Sequence, residues 1–141
     1  MDVSQLVNKY QKAQALHQAG NLYSALALYE EILISAPLHA DTNHYAGVCL
    51  YQLGHYDAAY EKVSKAISLN PNNPVQLNHL ALIYIEKGKI KEAEMLLSDA
   101  RKLDPTYLDA LANLGMCRIA QINIKMLLSC LKKLMHSDQA T

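Results

Sequence analysis

The chain has 141 residues, of which 51% are apolar and 18% charged, and its formal charge at pH 7 is zero. That is one domain's length with ample material for a core, which excludes a disordered chain, and the neutral balance excludes any global attraction to nucleic acid or an anionic surface. The balance is uneven: residues 1–61 carry two bases against six acids (net −4), and residues 62–141 carry eleven bases against seven acids (net +4).

In chain order, residues 5–18 place Leu6, Tyr10, Ala13, Leu16 and His17 at helical spacing, and Gly20 then ends the run with a backbone position that only glycine takes cheaply. Residues 22–35 resume the period with Leu22, Ala25, Leu26, Tyr29, Ile32 and Leu33, and stop before Pro37, since the residue preceding a proline is pushed out of helical space. The pattern recurs at 40–52 and 56–69, broken by Gly54 and closed by Pro71. It recurs again at 74–86 and 90–103, broken by Gly88 and closed by Pro105, with Asn73 and Pro74 as cap and first helical residue. Thr106 and Asp109 read as a capping box for a further helix at 108–120. Beyond it the register predicts glycine, alanine and proline where the chain has Ile122, Leu127 and Gln139, although apolar residues still recur at helical spacing. The expectation is an eighth helical segment ending near residue 136, or a single longer helix in place of the pair.

Three residue types thus repeat at 34 residues in one register: Gly20, Gly54 and Gly88; Ala25, Ala59 and Ala93; Pro37, Pro71 and Pro105. A fixed period of this length marks a stacked structural unit. The alanines, with Ala13, Gly47, Ala81 and Gly115 on the first helices, are read as small because two helices cross closely there. Leu16, Leu50 and Tyr84 fill the gaps between.

Small residue, large apolar residue, turn glycine, alanine and terminal proline follow in the order of the tetratricopeptide repeat family, which the chain resembles over about residues 6–118. The resemblance implies an all-α, right-handed solenoid of antiparallel helix pairs, with repeats at about 6–39, 40–73 and 74–107 and a degenerate fourth at 108–136. Lys12 and Asn43 depart from the family pattern, and a looser first interface is expected there. ALHQAGN, ALYEEIL and LHAD (residues 15–21, 27–33 and 38–41) also resemble the repeat arms of bacterial glycosyltransferases of the O-linked N-acetylglucosamine transferase type, but no transferase domain accompanies them.

In the resembled family the first helix of each pair lines a concave face that receives a peptide. Mapped by register, the receiving stripe runs Val7, Tyr10, Gln14 and His17, then Asp41, His44, Val48 and Tyr51, then Val75, Asn78, Leu82 and Ile85, then Asp109, Ala112, Met116 and Ile119, and the expected groove residues are Tyr10, Gln14, His17, His44, Val48, Tyr51, Asn78, Leu82 and Ile85. It lacks the lysine and glutamate of a solvated face, so the expected ligand is an apolar or amphipathic segment of another protein, with packing between helices as the alternative reading. The basic residues and asparagines with which some members clamp a terminal carboxylate are absent. His44, His79 and Asp41 are weighed as metal ligands and set aside in favour of hydrogen bonding. Cys49, Cys117 and Cys130 have no finger or disulfide spacing, and Cys49 and Cys117 share a core register. The lysines near Gly88 are interspersed with acids and make no nucleic-acid strip. No cofactor, metal or catalytic activity is expected. The start MDVSQLVNKY has no leader pattern and no unbroken apolar stretch reaches membrane length, so the expectation is a cytoplasmic adaptor without a membrane span. A structural arm of a larger glycosyltransferase-like protein and a small chaperone of secretion substrates are the competing readings. Residues 119–136 are expected to mediate self-association or dock on a partner, or else to fold back as an imperfect cap.

Overall fold

The computed structural model describes residues 1–139, and among them every regular element is a helix: α1 (Val3–Gln18), α2 (Leu22–Ser35), α3 (Ala40–Gln52), α4 (Tyr56–Leu69), α5 (Pro74–Glu86), α6 (Ile90–Leu103) and α7 (Leu108–Gln139). Three helix pairs follow one another, and α7 packs on the last.

The glycines make the pairs. Gly20, Gly54 and Gly88 have φ of 82°, 85° and 77°. At each, the two amides that follow the helix turn back on it: Gly20 N–H donates to His17 O and Asn21 N–H to Leu16 O, at 3.0 and 2.9 Å. These bonds satisfy carbonyls that a helix end otherwise leaves bare. Before each proline the chain leaves helical space, with φ of −136° at Ala36, −143° at Asn70 and −143° at Asp104. Asn73 caps α5 by accepting from the Val75 amide, with Pro74 next.

The core is distributed along the array. Ala13, Ala25 and Tyr29 pack with Ala46 and Cys49 across the first junction. Leu50, Ala59 and Val63 pack with Leu80 and Ile83 across the second, and Ala81, Ala93 and Leu97 with Ala110, Leu114 and Cys117 across the third. Each pair therefore completes its burial on its neighbour, and a fully buried leucine such as Leu97 contributes about 1.5–3 kcal/mol.

Four expectations need correction. Among the described residues there is no eighth helix: with Ile122 in the glycine position the chain does not reverse, and α7 runs on to Gln139. The start of α7 is organised by Asp104 rather than by a Thr106–Asp109 box, since the Asp104 carboxylate accepts from the Thr106 amide at 3.0 Å and its hydroxyl at 2.6 Å. Asn43 does not loosen the first interface. It is 1% exposed, and its amide donates to Pro37 O and His39 O at 3.1 and 2.9 Å, fastening the loop between units. Finally, Leu108–Ser137 is long and apolar enough to cross a membrane by length and composition, with mean hydropathy 1.3, because a helix averages over the polar residues that interrupt its apolar runs.

Candidate functional site: the concave helix face

The first helices of the pairs, α1, α3 and α5, bring the mapped stripe onto one side of the array together with the start of α7. Consecutive helices are joined there by side-chain bonds between residues 35 apart: His17 to Gln52 at 2.7 Å, His44 to His79 at 2.7 Å, and Asn113 to Asn78 at 2.9 Å. The separation is one repeat plus one residue, which is the offset at which neighbouring first helices meet. The Asn78 amide nitrogen also donates to the Tyr107 hydroxyl at 3.3 Å. His44, Val48 and Asn78 are accordingly buried, whereas Tyr10, Gln14, His17, Tyr51, Leu82 and Ile85 remain partly open.

Tyrosines fill the space beneath. Tyr29 and Tyr45 stack with centroids 6.4 Å apart, Tyr10 lies 6.2 Å from Tyr29, and the rings of His44 and Tyr45 are 4.9 Å apart. Burial dominates the electrostatics. It raises the Tyr10 phenol to about 12, with the Asp41 charge and Tyr45 adding to the shift, and lifts Tyr29 further. The His44 imidazole is lowered to about 3, chiefly by burial and then by His79 and His17; His79 is lowered as well, again mainly by burial. Two neutral rings suit the bond between them, since one donates N–H and the other accepts. The Cys49 thiol is pushed up to about 11 by burial, which leaves it protonated at neutral pH.

Two cavities adjoin along this face. One, of about 410 Å³, lies between α1 and the start of α3, with Val7, Tyr10, Gln14, His39 and Asp41 among its walls. The next, of about 440 Å³, is lined by Gln14, His17, Gln18, Tyr29, Tyr45, Val48, Gln52 and His79. Gln14 belongs to both, and neither wall contains lysine or arginine. Among the described residues no group of three or more metal-ligating side chains converges. Sequence reasoning missed Tyr29, Tyr45 and Gln52. The first two lay outside the mapped stripe, but Gln52 stands one repeat plus one residue from His17, a spacing that is visible in the sequence.

The fold and this face define a tetratricopeptide-type helical array. Residues 18–100 match the family described as anaphase-promoting complex, cyclosome, subunit 3, and the chain belongs to that tetratricopeptide-repeat family. It is 31% identical over 98 residues to the Solanum lycopersicum protein named "Probable UDP-N-acetylglucosamine-peptide N-acetylglucosaminyltransferase SPINDLY", covering 70% of this chain and 10% of that one. The chain thus spans about a tenth of the length of the curated relatives it matches. Among solved structures, the Yersinia enterocolitica type III secretion chaperone SycD, in complex with a peptide of the translocator YopD, superposes with a TM-score of 0.78 at 20% identity, over 85% of this chain and 97% of that one. The first repeat domain of Spaghetti (RPAP3), bound to the HSP90 peptide SRMEEVD, superposes with a TM-score of 0.80 at 16% identity, over 86% and 97% of the two chains. At these identities the likeness is one of fold.

Proposed function

We propose that the chain is a non-catalytic interaction module of the cytoplasm whose concave face receives an apolar or amphipathic segment of a partner protein. The observation that carries this is the lining of the two adjoining cavities, which combines aliphatic, aromatic and neutral polar groups with three histidines, His17, His39 and His79, one carboxylate, Asp41, and no lysine or arginine. The acidic peptide SRMEEVD carried by the Spaghetti repeats would meet no lysine or arginine in either cavity. Apolar side chains would instead seat against Tyr10 and Val48 in the cavities and, further along the stripe, against Tyr51, Leu82 and Ile85, which line neither cavity, with Gln14 supplying hydrogen bonds. A few such anchors supply most of the affinity in a groove of this kind. The buried, neutral histidine pair serves to join helices rather than to move protons, which favours the non-catalytic reading.

The test is a peptide-array binding assay with folded wild type and the variants Tyr51→Ala, Leu82→Asp and Gln14→Glu. At least a tenfold loss of bound amphipathic peptides is expected for Leu82→Asp, and equal binding by all four proteins would place recognition elsewhere. A second reading, an arm of a larger glycosyltransferase-like protein, is favoured by the match to SPINDLY. Co-purification of a transferase with the chain would select it; co-purification of a secretion substrate would select a chaperone role like that of SycD.

A further inference from the structure

We infer that residues 119–136 of α7 lie flat on an anionic phospholipid bilayer, with the apolar side in the interface and the lysine side along the headgroups, and so hold the array at a membrane surface. The angular order of the segment points there first. At about 100° per residue, Met126, Ile119, Leu134, Leu127, Leu131 and Leu128 follow one another around an apolar arc roughly 200° wide. Gln121, Lys132, Lys125, His136, Ser129 and Lys133 share an opposite sector of roughly 120°. Ile122 alone breaks the polar sector and Asn123 alone the apolar arc. Every residue from 122 to 136 is exposed, so both sides are open.

The width of the arc selects the surface. A partner helix covers a stripe about 100° wide and would leave half of this arc in water. A bilayer interface takes half of a cylinder, and an arc of this width fills it. The charges select the lipid. Residues 110–137 contain no aspartate or glutamate, and Lys125, Lys132 and Lys133 all stand on the polar side. With the helix in the membrane plane, the lysine stems run along the apolar boundary and their ammonium groups meet anionic headgroups.

The packed start of α7 fits the same placement. Ala110, Leu114 and Cys117 are buried against α5 and α6, and their direction is roughly 100° around the helix axis from Leu127, the centre of the arc. The array therefore stands beside the helix rather than between it and a flat surface. Met116, 57% exposed, continues the arc back toward the array. Leu108–Ser137 is long and apolar enough to cross a bilayer, but crossing would draw Lys125 into the hydrocarbon. Lying flat keeps all three lysines at headgroup level.

Flotation of the whole chain with lipid vesicles tests this. Phosphatidylcholine vesicles containing about a quarter phosphatidylserine should bind it about tenfold or more tightly than phosphatidylcholine alone, and salt at about 1 M should weaken that binding by a similar factor. Exchanging two neighbours, Leu131→Lys with Lys132→Leu, keeps composition and net charge but sets a cation in the arc. This variant should keep its helicity and lose about tenfold or more in binding to the anionic vesicles. The chain has no tryptophan, so an introduced one reports its own depth. On anionic vesicles the emission of Leu127→Trp should shift to the blue, and that of Ser129→Trp should not. Absence of binding to the anionic vesicles overturns the proposal, and a two-copy mass by light scattering would then assign the arc to a second copy. Equal binding by the exchanged variant overturns it too. Binding that survives high salt and alkaline carbonate, with both tryptophans shifted, overturns it in favour of a spanning helix.

Discussion

Gly47 and Gly115 hold the same place in the second and fourth units and face different surroundings. A methyl group at residue 47 would collide with Val63 and also approach Lys62 Cβ to 3.2 Å. Gly47→Ala should therefore destabilise the fold by about 1–3 kcal/mol through overpacking. Gly115→Ala meets open space and replaces a poor helix former with a good one, so a gain of about 0.5–1 kcal/mol is expected. Urea denaturation of both variants checks the pair; a loss at Gly115 as large as that at Gly47 would contradict the open environment. The histidines give a pH dependence whose sign is fixed by burial. Folded His44 titrates near 3 and an unfolded histidine near 6.5, so below 6.5 the unfolded chain takes up a proton that the folded chain refuses. Stability from this source is complete above about pH 6.5 and declines as the pH falls toward 3. By pH 5 the loss from His44 alone is about 2 kcal/mol. Comparing urea midpoints at pH 7.5 and 5 should show it, and His44→Gln should retain only the smaller His79 share.

At the scale of an element, turns and loops are held by single side chains. Gly54 has φ 85° and free space around its Cβ position, so Gly54→Val acts through backbone strain alone, at a cost of about 1 kcal/mol or more. Gly54→Asn should recover part of it, because asparagine tolerates this region; thermal melts that rank the two variants equally would count against a strained turn. Asn43 closes the loop between α2 and α3 through two backbone carbonyls. Asn43→Leu restores the family's apolar residue but removes those bonds, and should cost about 1–3 kcal/mol in chemical denaturation. Ile122 works in the opposite sense from the glycines: it converts what would be two short helices into one of 32 residues.

For the whole molecule, the core clusters each bridge adjacent pairs, so stability depends on having neighbours. Hydrogen exchange should be slowest in α3 to α6, which are covered on both sides, and faster in α1. Uniform protection across all helices would argue against opening from the ends. The 35-residue bonds His17–Gln52, His44–His79 and Asn78–Asn113 tie the same helices along the concave face. The face that is proposed to bind a partner is thus also the one that fixes the spacing between units.

The sequence alone determined the helices, because period, glycine and proline are local signals: a run between Gly20 and Pro37 allows one helix, and the repeat allows the next. It also assigned one stripe to each first helix, since a fixed register on a regular helix assigns faces. It did not reveal which stripe residues are spent on neighbouring helices. His44 and Asn78 read as groove residues from the pattern, and only the distance between α3, α5 and α7 shows that they bond to His79 and Asn113. Asn43 read as a defect for the same reason, since its partners at Pro37 and His39 are backbone carbonyls with no signature in residue type. At the C-terminal end the replacement of the fourth turn glycine by Ile122 was legible, but whether the chain turned or continued depended on the balance between strain at Ile122 and burial of Leu127, Leu131 and Leu134. That balance is set by tertiary packing, and in the single chain the straight helix leaves those leucines exposed.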